Sequence, residues 1–151
     1  MKPPRHDTNV RTRTLVQKLG IKPGFCIFVD GAPASYESIV GKLPDGAKLA
    51  ARPKAPLDLV HLFVREAAPL GKKLIAYREM IAPDGMIWVS WPKKSSRLAT
   101  GLTDVVVRGA AIAADLVDVQ VCAIDDVWSG LKVVIPKTRR GEFARSPLHR
   151  R

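Results

Sequence analysis

Residues 57–91, LDLVHLFVREAAPLGKKLIAYREMIAPDGMIWVSW, carry the clearest architectural signal in the chain. LDLVHLFV, Leu57 to Val64, reads as a strand: it is mostly aliphatic and of strand length. The next segment reads as a helix from about Leu70 to Ile81. Its apolar residues Leu74, Ile75, Tyr77 and Ile81 recur at roughly helical spacing. Pro83-Asp84-Gly85 then turns the chain into a second strand, MIWVSW. Strand, helix and strand in succession form a crossover unit, so the two strands are expected to run parallel.

The alternation extends in both directions. FCIFVD, Phe25 to Asp30, is a near-continuous apolar run suited to a central strand buried on both faces. GAPAS follows as a turn, and Ser35 is the candidate cap of a helix to about Leu43. Upstream, Asn9 to Leu19 reads as a short helix ended by Gly20. AKLAA, residues 47–51, reads as a short strand of open pairing. Only Arg52 to Pro56 separate it from Leu57, whereas a parallel crossover usually takes about a dozen residues or more. Its neighbours Lys48, Arg52, Pro53 and Lys54 suit a protected sheet edge. Beyond residue 91, Thr103 is the candidate N-cap of a helix to Leu116. VDVQVCAID and LKVVIP, joined by DVWSG, then read as a hairpin. The expected fold is α/β and Rossmann-like, with a mostly parallel sheet, helices on both faces and a C-terminal antiparallel hairpin.

A chain of 151 residues is expected to make one domain with a substantial core. The formal net charge of +11 is uneven: residues 1–13 hold +3, residues 137–151 hold +5, and the long middle only +3. The organisation expected is therefore a Rossmann-like domain over 14–136 between two basic, flexible tails. Such tails attract polyanions, nucleic acid among them, without sequence preference. No apolar run approaches the roughly 18 residues of a membrane span, so no membrane association is expected. The opening MKPPRHDTNVRTRT lacks the apolar core of a secretory signal, which makes the cytoplasm the expected location. Cys26 and Cys122 lie in strand-like apolar runs and read as buried, reduced thiols. No cysteine or histidine spacing suggests a metal site.

In an open parallel sheet, ligands bind beyond the C-terminal ends of the strands. GAPASY, REAAP, PKKSSR and DDVWSG are expected to share that edge. Lys93, Lys94, Ser95, Ser96 and Arg97 leave one strand there and suggest an anion site near Ser35, which the acidic Glu37 would weaken. A solvated basic loop is the simpler reading. Trp91 and Trp128, both at strand ends, form a second constellation, either flooring a pocket or packing loops onto the core. Trp88, in mid-strand, reads as core. Asp30, at the end of its strand, is the best single acid candidate. Lys132 is expected to pair with Asp125 or Asp126. His61 reads as an interior histidine with its hydrogen bonds satisfied, and Asp58 lies at the edge away from the loops. No nucleophile elbow, Walker loop or zinc motif is present.

LVQKLGIKPG, PLDLVHLFV, APDGMIWVSWPKKSS and LVDVQVCAIDDVWSGLK together resemble the small bacterial family catalogued as domain of unknown function 3052. The resemblance covers about residues 14–136, and WPKK and DDVWSGLK are its most distinctive parts. It implies a fold and no particular chemistry. The order of elements also resembles a shortened class I methyltransferase. That likeness implies a glycine-rich first loop, where this chain has Asp30-Gly31-Ala32-Pro33-Ala34-Ser35. It also implies an acidic residue after the second strand to hold a ribose, where this chain has LAARPKA. The segment between the family's second and fourth strands is missing. The first functional reading is therefore a non-catalytic module binding an anionic small molecule through Asp30, Ser35, Trp91, Lys93, Lys94, Ser95, Arg97 and Trp128. The alternatives are nucleic-acid association through the tails and an atypical S-adenosylmethionine-dependent methyltransferase. No cofactor or oligomeric state is assigned.

Overall fold

The computed structural model describes residues 13–141. Its elements are α1 (Leu15–Leu19), β1 (Cys26–Asp30), α2 (Tyr36–Val40), β2 (Lys48–Leu49), β3 (Leu57–Phe63), α3 (Leu70–Arg78), β4 (Ile81–Pro92), α4 (Asp104–Ala113), β5 (Val117–Ala123) and β6 (Trp128–Val134). A short 3-10 helix, Lys137–Arg139, follows. One six-stranded sheet has the order β2-β1-β3-β4-β6-β5. The β1, β2, β3 and β4 strands are mutually parallel where they pair, and β6 runs antiparallel to both β4 and β5. This is the expected mostly parallel α/β sheet. The last strand in sequence inserts beside β4 and leaves β5 at the edge. Among the described residues, no helix is long and apolar enough to cross a membrane.

Alternation along the strands divides the core in two. Leu57, Val60, Leu62, Ile87, Val89, Trp91, Leu131 and Val133 face α3 and α4. Ile27, Leu59, Phe63, Met86, Trp88 and Trp128 face α1 and α2. Helices thus cover both faces. Burying each large aliphatic side chain stabilises the fold by roughly 1.5–3 kcal/mol. The α1 side rests on two single-turn helices and needs specific ties. Thr14 and Gln17 close a reciprocal capping box, and Gly20 ends α1 in the left-handed region. The Trp88 indole N–H, fully buried, donates to the Leu19 carbonyl at 2.9 Å and fastens α1 to the sheet.

Several boundaries differ from the sequence reading. α1 begins after Thr14, and residues 9–12 lie outside the described range. α2 spans one turn, because Gly41 leaves the helix at φ 97° and Pro44 follows. α3 stops at Arg78, and Ile81 pairs with Leu57 instead of ending the helix. Pro83-Asp84-Gly85 is an irregularity within β4, not a turn. A Cβ at Gly85 would lie 3.1 Å from the Asp58 carbonyl, so glycine permits that close passage. The open pairing of residues 47–51 resolves as a two-residue parallel edge strand beside Cys26 and Ile27. Leu49 pairs with Ile27 and Leu59 pairs with Ile27 on the other side. Residues 50–56 need only step back along β1 and cross two strand spacings, about 10 Å, well within their extended reach.

Both cysteines are free and half-buried, not fully buried as expected. Cys122 is displaced outward because its strand is the sheet edge. Residues 137–141 continue the folded body: Arg140 donates to the Ile135 carbonyl at 3.1 Å, and Arg139 lies 3.2 Å from Asp115. The remaining tail residues, 1–12 and 142–151, lie outside the described range.

Candidate functional site

The C-terminal ends of β1, β3 and β4 form one edge, with β6 beginning beside β4. A cleft of about 370 Å³ opens there, between β4, β6, β5 and the N-terminus of α4. Its lining includes Trp91, Lys93, Lys94, Thr103, Asp104 and Ser129. Each arrives by a simple route. Trp91 is the last inward residue of β4 on the α4 side and is 5% exposed. Pro92 ends the strand, and Lys93 is held where it leaves by its N–H to the Val127 carbonyl, 2.7 Å. Ser129 stands opposite Trp91 on β6. Thr103 caps α4, its hydroxyl accepting from the Val106 N–H at 3.3 Å.

The electrostatics favour an anion on one side of this cleft. Lys93 and Lys94 have no carboxylate within salt-bridge distance among the described residues. α4 starts at the same edge and directs the positive end of its backbone dipole toward it. Asp104 opposes both effects. Its charge is offset by Arg108 at 3.1 Å, which also holds Asp118 at 2.9 Å.

The structure separates residues that the sequence suggested as one group. Ser35 is exposed and belongs to α2 on the opposite sheet face, with β3 between its strand and that of Lys93. Its side chain makes no cap bond; its carbonyl instead accepts from the Ser38 hydroxyl at 2.7 Å. Ser95 and Arg97 are exposed and lie outside the cleft lining, while Ser96 braces the turn through its hydroxyl to the Lys93 carbonyl, 2.9 Å. Trp91 and Trp128 lie on opposite faces, because Trp128 pairs with Pro92, one residue out of phase. Trp128 is 3% exposed, edge-on to Phe63 at 5.3 Å and beneath the Arg65 guanidinium at 5.8 Å.

Asp30 lies at the expected edge but its carboxylate is engaged. The Tyr77 hydroxyl donates to it at 2.6 Å, and the Lys73 ammonium lies at 3.3 Å. Burial and the adjacent carboxylate push the Tyr77 phenol well above its usual range. Lys73 and Tyr77 are one helical turn apart, so α3 presents both to Asp30. The i, i+4 spacing was visible in sequence, but the strand it would meet was not. Lys132 does not reach Asp125 or Asp126. It sits near the other end of β6, paired across from Trp88, while Asp125 accepts from the Val127 and Trp128 N–H groups, each at 2.8 Å.

His61 is fully buried and satisfied, as expected for an interior histidine. Nδ1 shares a 2.7 Å hydrogen bond with the Tyr36 hydroxyl, and Nε2 shares a 2.8 Å bond with the Ser90 hydroxyl. Burial lowers its pKa to about 3 and raises that of Tyr36. A serine at this distance from a neutral imidazole has nucleophile–base spacing. Ser90 and His61 are both 0% exposed, so no substrate reaches them and the trio is structural. Asp58 is likewise structural, its carboxylate accepting from the Cys26 N–H at 2.8 Å. Among the described residues, no cluster of metal-ligating side chains occurs.

No protein-family model and no curated protein sequence matches the chain. Solved structures do. A SAM-dependent methyltransferase from Aquifex aeolicus superposes with a TM-score of 0.59 at 14% identity, covering 78% of this chain and 86% of that one. The fibrillarin pre-rRNA processing protein of Methanococcus jannaschii matches with a TM-score of 0.56 at 11% identity, covering 76% and 68%. Magnesium protoporphyrin IX methyltransferase from Synechocystis, with bound SAM, matches at 0.55 and 12%, covering 85% and 77%. The fold is therefore Rossmann-like and methyltransferase-like.

Proposed function

We propose that this protein is a binding module on a methyltransferase-like frame, a member of the family its WPKK and DDVWSGLK segments resemble. It takes a small anion, a phosphate or carboxylate, in the cleft at the end of β4. The observation that carries this reading is the pairing of Lys93 and Lys94 in one cleft, with no carboxylate partner among the described residues, beside the N-terminus of a ten-residue helix. The volume suits a small metabolite, since ligand pockets run from about 300 Å³ upward. Trp91 gives one wall an apolar flank, and Thr103 and Ser129 add hydroxyls. Asp104 in the lining is paired with Arg108 at 3.1 Å and the Thr103 hydroxyl caps α4, so the groups around the lysines support binding better than chemistry.

The fold neighbours favour a second reading, an atypical SAM-dependent methyltransferase. The residues present do not fit that cofactor. After β2 the chain runs Ala50-Ala51-Arg52, with no acid to hold a ribose. At the end of β1, Gly31 already packs on β3: a Cβ there would stand 2.7 Å from the Phe63 carbonyl. Asp30 is engaged by Tyr77 and Lys73. Nucleic-acid association through the basic termini is the third reading and predicts affinity that falls steeply with salt.

Thermal unfolding with phosphate, small carboxylates, nucleotides and SAM, at fixed salt, separates the first two. A ligand at about 100 times its Kd stabilises by about 2.7 kcal/mol. The expected result is a rise in Tm with an anion that disappears in Lys93→Ala/Lys94→Ala. A rise with SAM that survives this double substitution would overturn the reading in favour of the second.

A further inference from the structure

A second cleft, of about 430 Å³, lies at the other end of the sheet, away from the edge where ligands of open parallel sheets bind. Its floor is apolar: Met86 from β4, Val134 from β6, and Val117 and Val119 from β5. Val117 and Val119 are 41% and 55% exposed, a large apolar area left to water. The sheet irregularity explains part of it. Asp118 pairs with Val133 and Gln120 with Lys132, so Val119 is an extra, unpaired residue beside the cleft. The rim is cationic. Lys132, Lys137 and Arg140 contribute three positive charges against the single carboxylate of Asp84. Among the described residues Lys132 and Lys137 have no acidic partner, and Arg140 donates to a backbone carbonyl and forms no ion pair.

From this combination we infer that the cleft is a binding site for a small amphiphilic anion, an aliphatic carboxylate whose chain covers Met86, Val117, Val119 and Val134 and whose head pairs with Lys132. The reasoning is charge and polarity complementarity. An apolar floor alone would accept any hydrophobe, and a cationic rim alone any anion. The two together select a molecule with both parts. Lys132 is the discriminating residue, because it lines the cleft half-buried and has no counter-charge among the described residues. Burial, and next the charge of Lys22, lower its pKa, so an anion beside it would offset both. The site is independent of the Lys93/Lys94 cleft, which lies beyond the opposite ends of the strands.

Titration of the full chain with decanoate, below its micellar range, tests this by calorimetry and by the methyl resonances of labelled methionine. Saturable binding should shift the Met86 methyl and leave Met80 unmoved. Lys132→Met, which keeps the stem and removes the charge, should weaken binding at least tenfold. Val119→Glu, at an exposed position that tolerates substitution, should abolish it. Decanol should bind at least tenfold more weakly than decanoate. Lys93→Ala/Lys94→Ala should change nothing. Absence of saturable binding, equal affinity in Lys132→Met, or loss of binding in the Lys93/Lys94 variant would each overturn the inference.

Discussion

His61 concentrates the polar chemistry of the interior in one side chain. Its two ring nitrogens are satisfied by Tyr36 and Ser90, and its ring stacks on Phe63 at 4.3 Å. Tyr36→Phe would leave Nδ1 buried and unpaired, at a cost of about 1–3 kcal/mol by urea denaturation. A cost near zero would mean that water replaces the phenol. The same residue sets a pH dependence. With a folded pKa of about 3 against an unfolded value of 6.5, the unfolded chain binds the proton first as pH falls. Stability should therefore be full above the unfolded pKa and decline between about pH 6.5 and pH 3, by up to roughly 1.4 kcal/mol per unit. His61→Phe should remove this slope; a slope unchanged in the variant would assign it to carboxylates instead. Polar burial at residue 61 was legible from its place in an apolar strand. Its partners were not, since Tyr36 and Ser90 are distant in sequence and meet only when β3 and β4 pair and α2 folds over them.

Elements owe their positions to a few close approaches. Gly130 lies where β6 passes under Trp88 and Ile124: a Cβ there would meet the Ile124 Cδ1 at 2.9 Å and the Trp88 ring at 3.2 Å. Gly130→Ala should destabilise by about 1–3 kcal/mol through overpacking, measured by chemical denaturation with the slope unchanged. Stability equal to the parent would show that Ile124 simply rotates away. α1 is a single turn and has little stability of its own. Loss of its cap in Thr14→Ala should cost about 1 kcal/mol, and hydrogen exchange should quicken locally in residues 15–21. Uniform acceleration across the sheet would contradict that picture. Element type was readable here from periodicity and caps. Lengths were not: α2 stops after one turn and Ile81 leaves the helix for the sheet, because strand pairing outweighs helical spacing at Ile81.

At the scale of the molecule, one sheet separates two apolar layers that share every central strand. Neither layer survives without the sheet, so unfolding should be a single transition. Trp91 reports one layer and Trp88 and Trp128 the other. Tryptophan fluorescence and far-UV circular dichroism should give coincident curves, and two separated midpoints would show that the layers melt independently. Local pattern in the chain is enough to specify the α/β class, the crossover unit of residues 57–91, the C-terminal hairpin and the edge at which Lys93 and Lys94 emerge. These follow from local periodicity and from the handedness of chain connections, which need no partner to be known. Which face each side chain occupies emerges only when the strands pair and the helices pack. Register has a period of two, so a shift of one residue sends Trp128 to the face opposite Trp91, while the strand order, with β3 between β1 and β4, separates Ser35 from the lysines. The same register gathers Val117, Val119, Met86 and Lys132 into a cleft, from three strands whose order in the sheet is not their order in the chain.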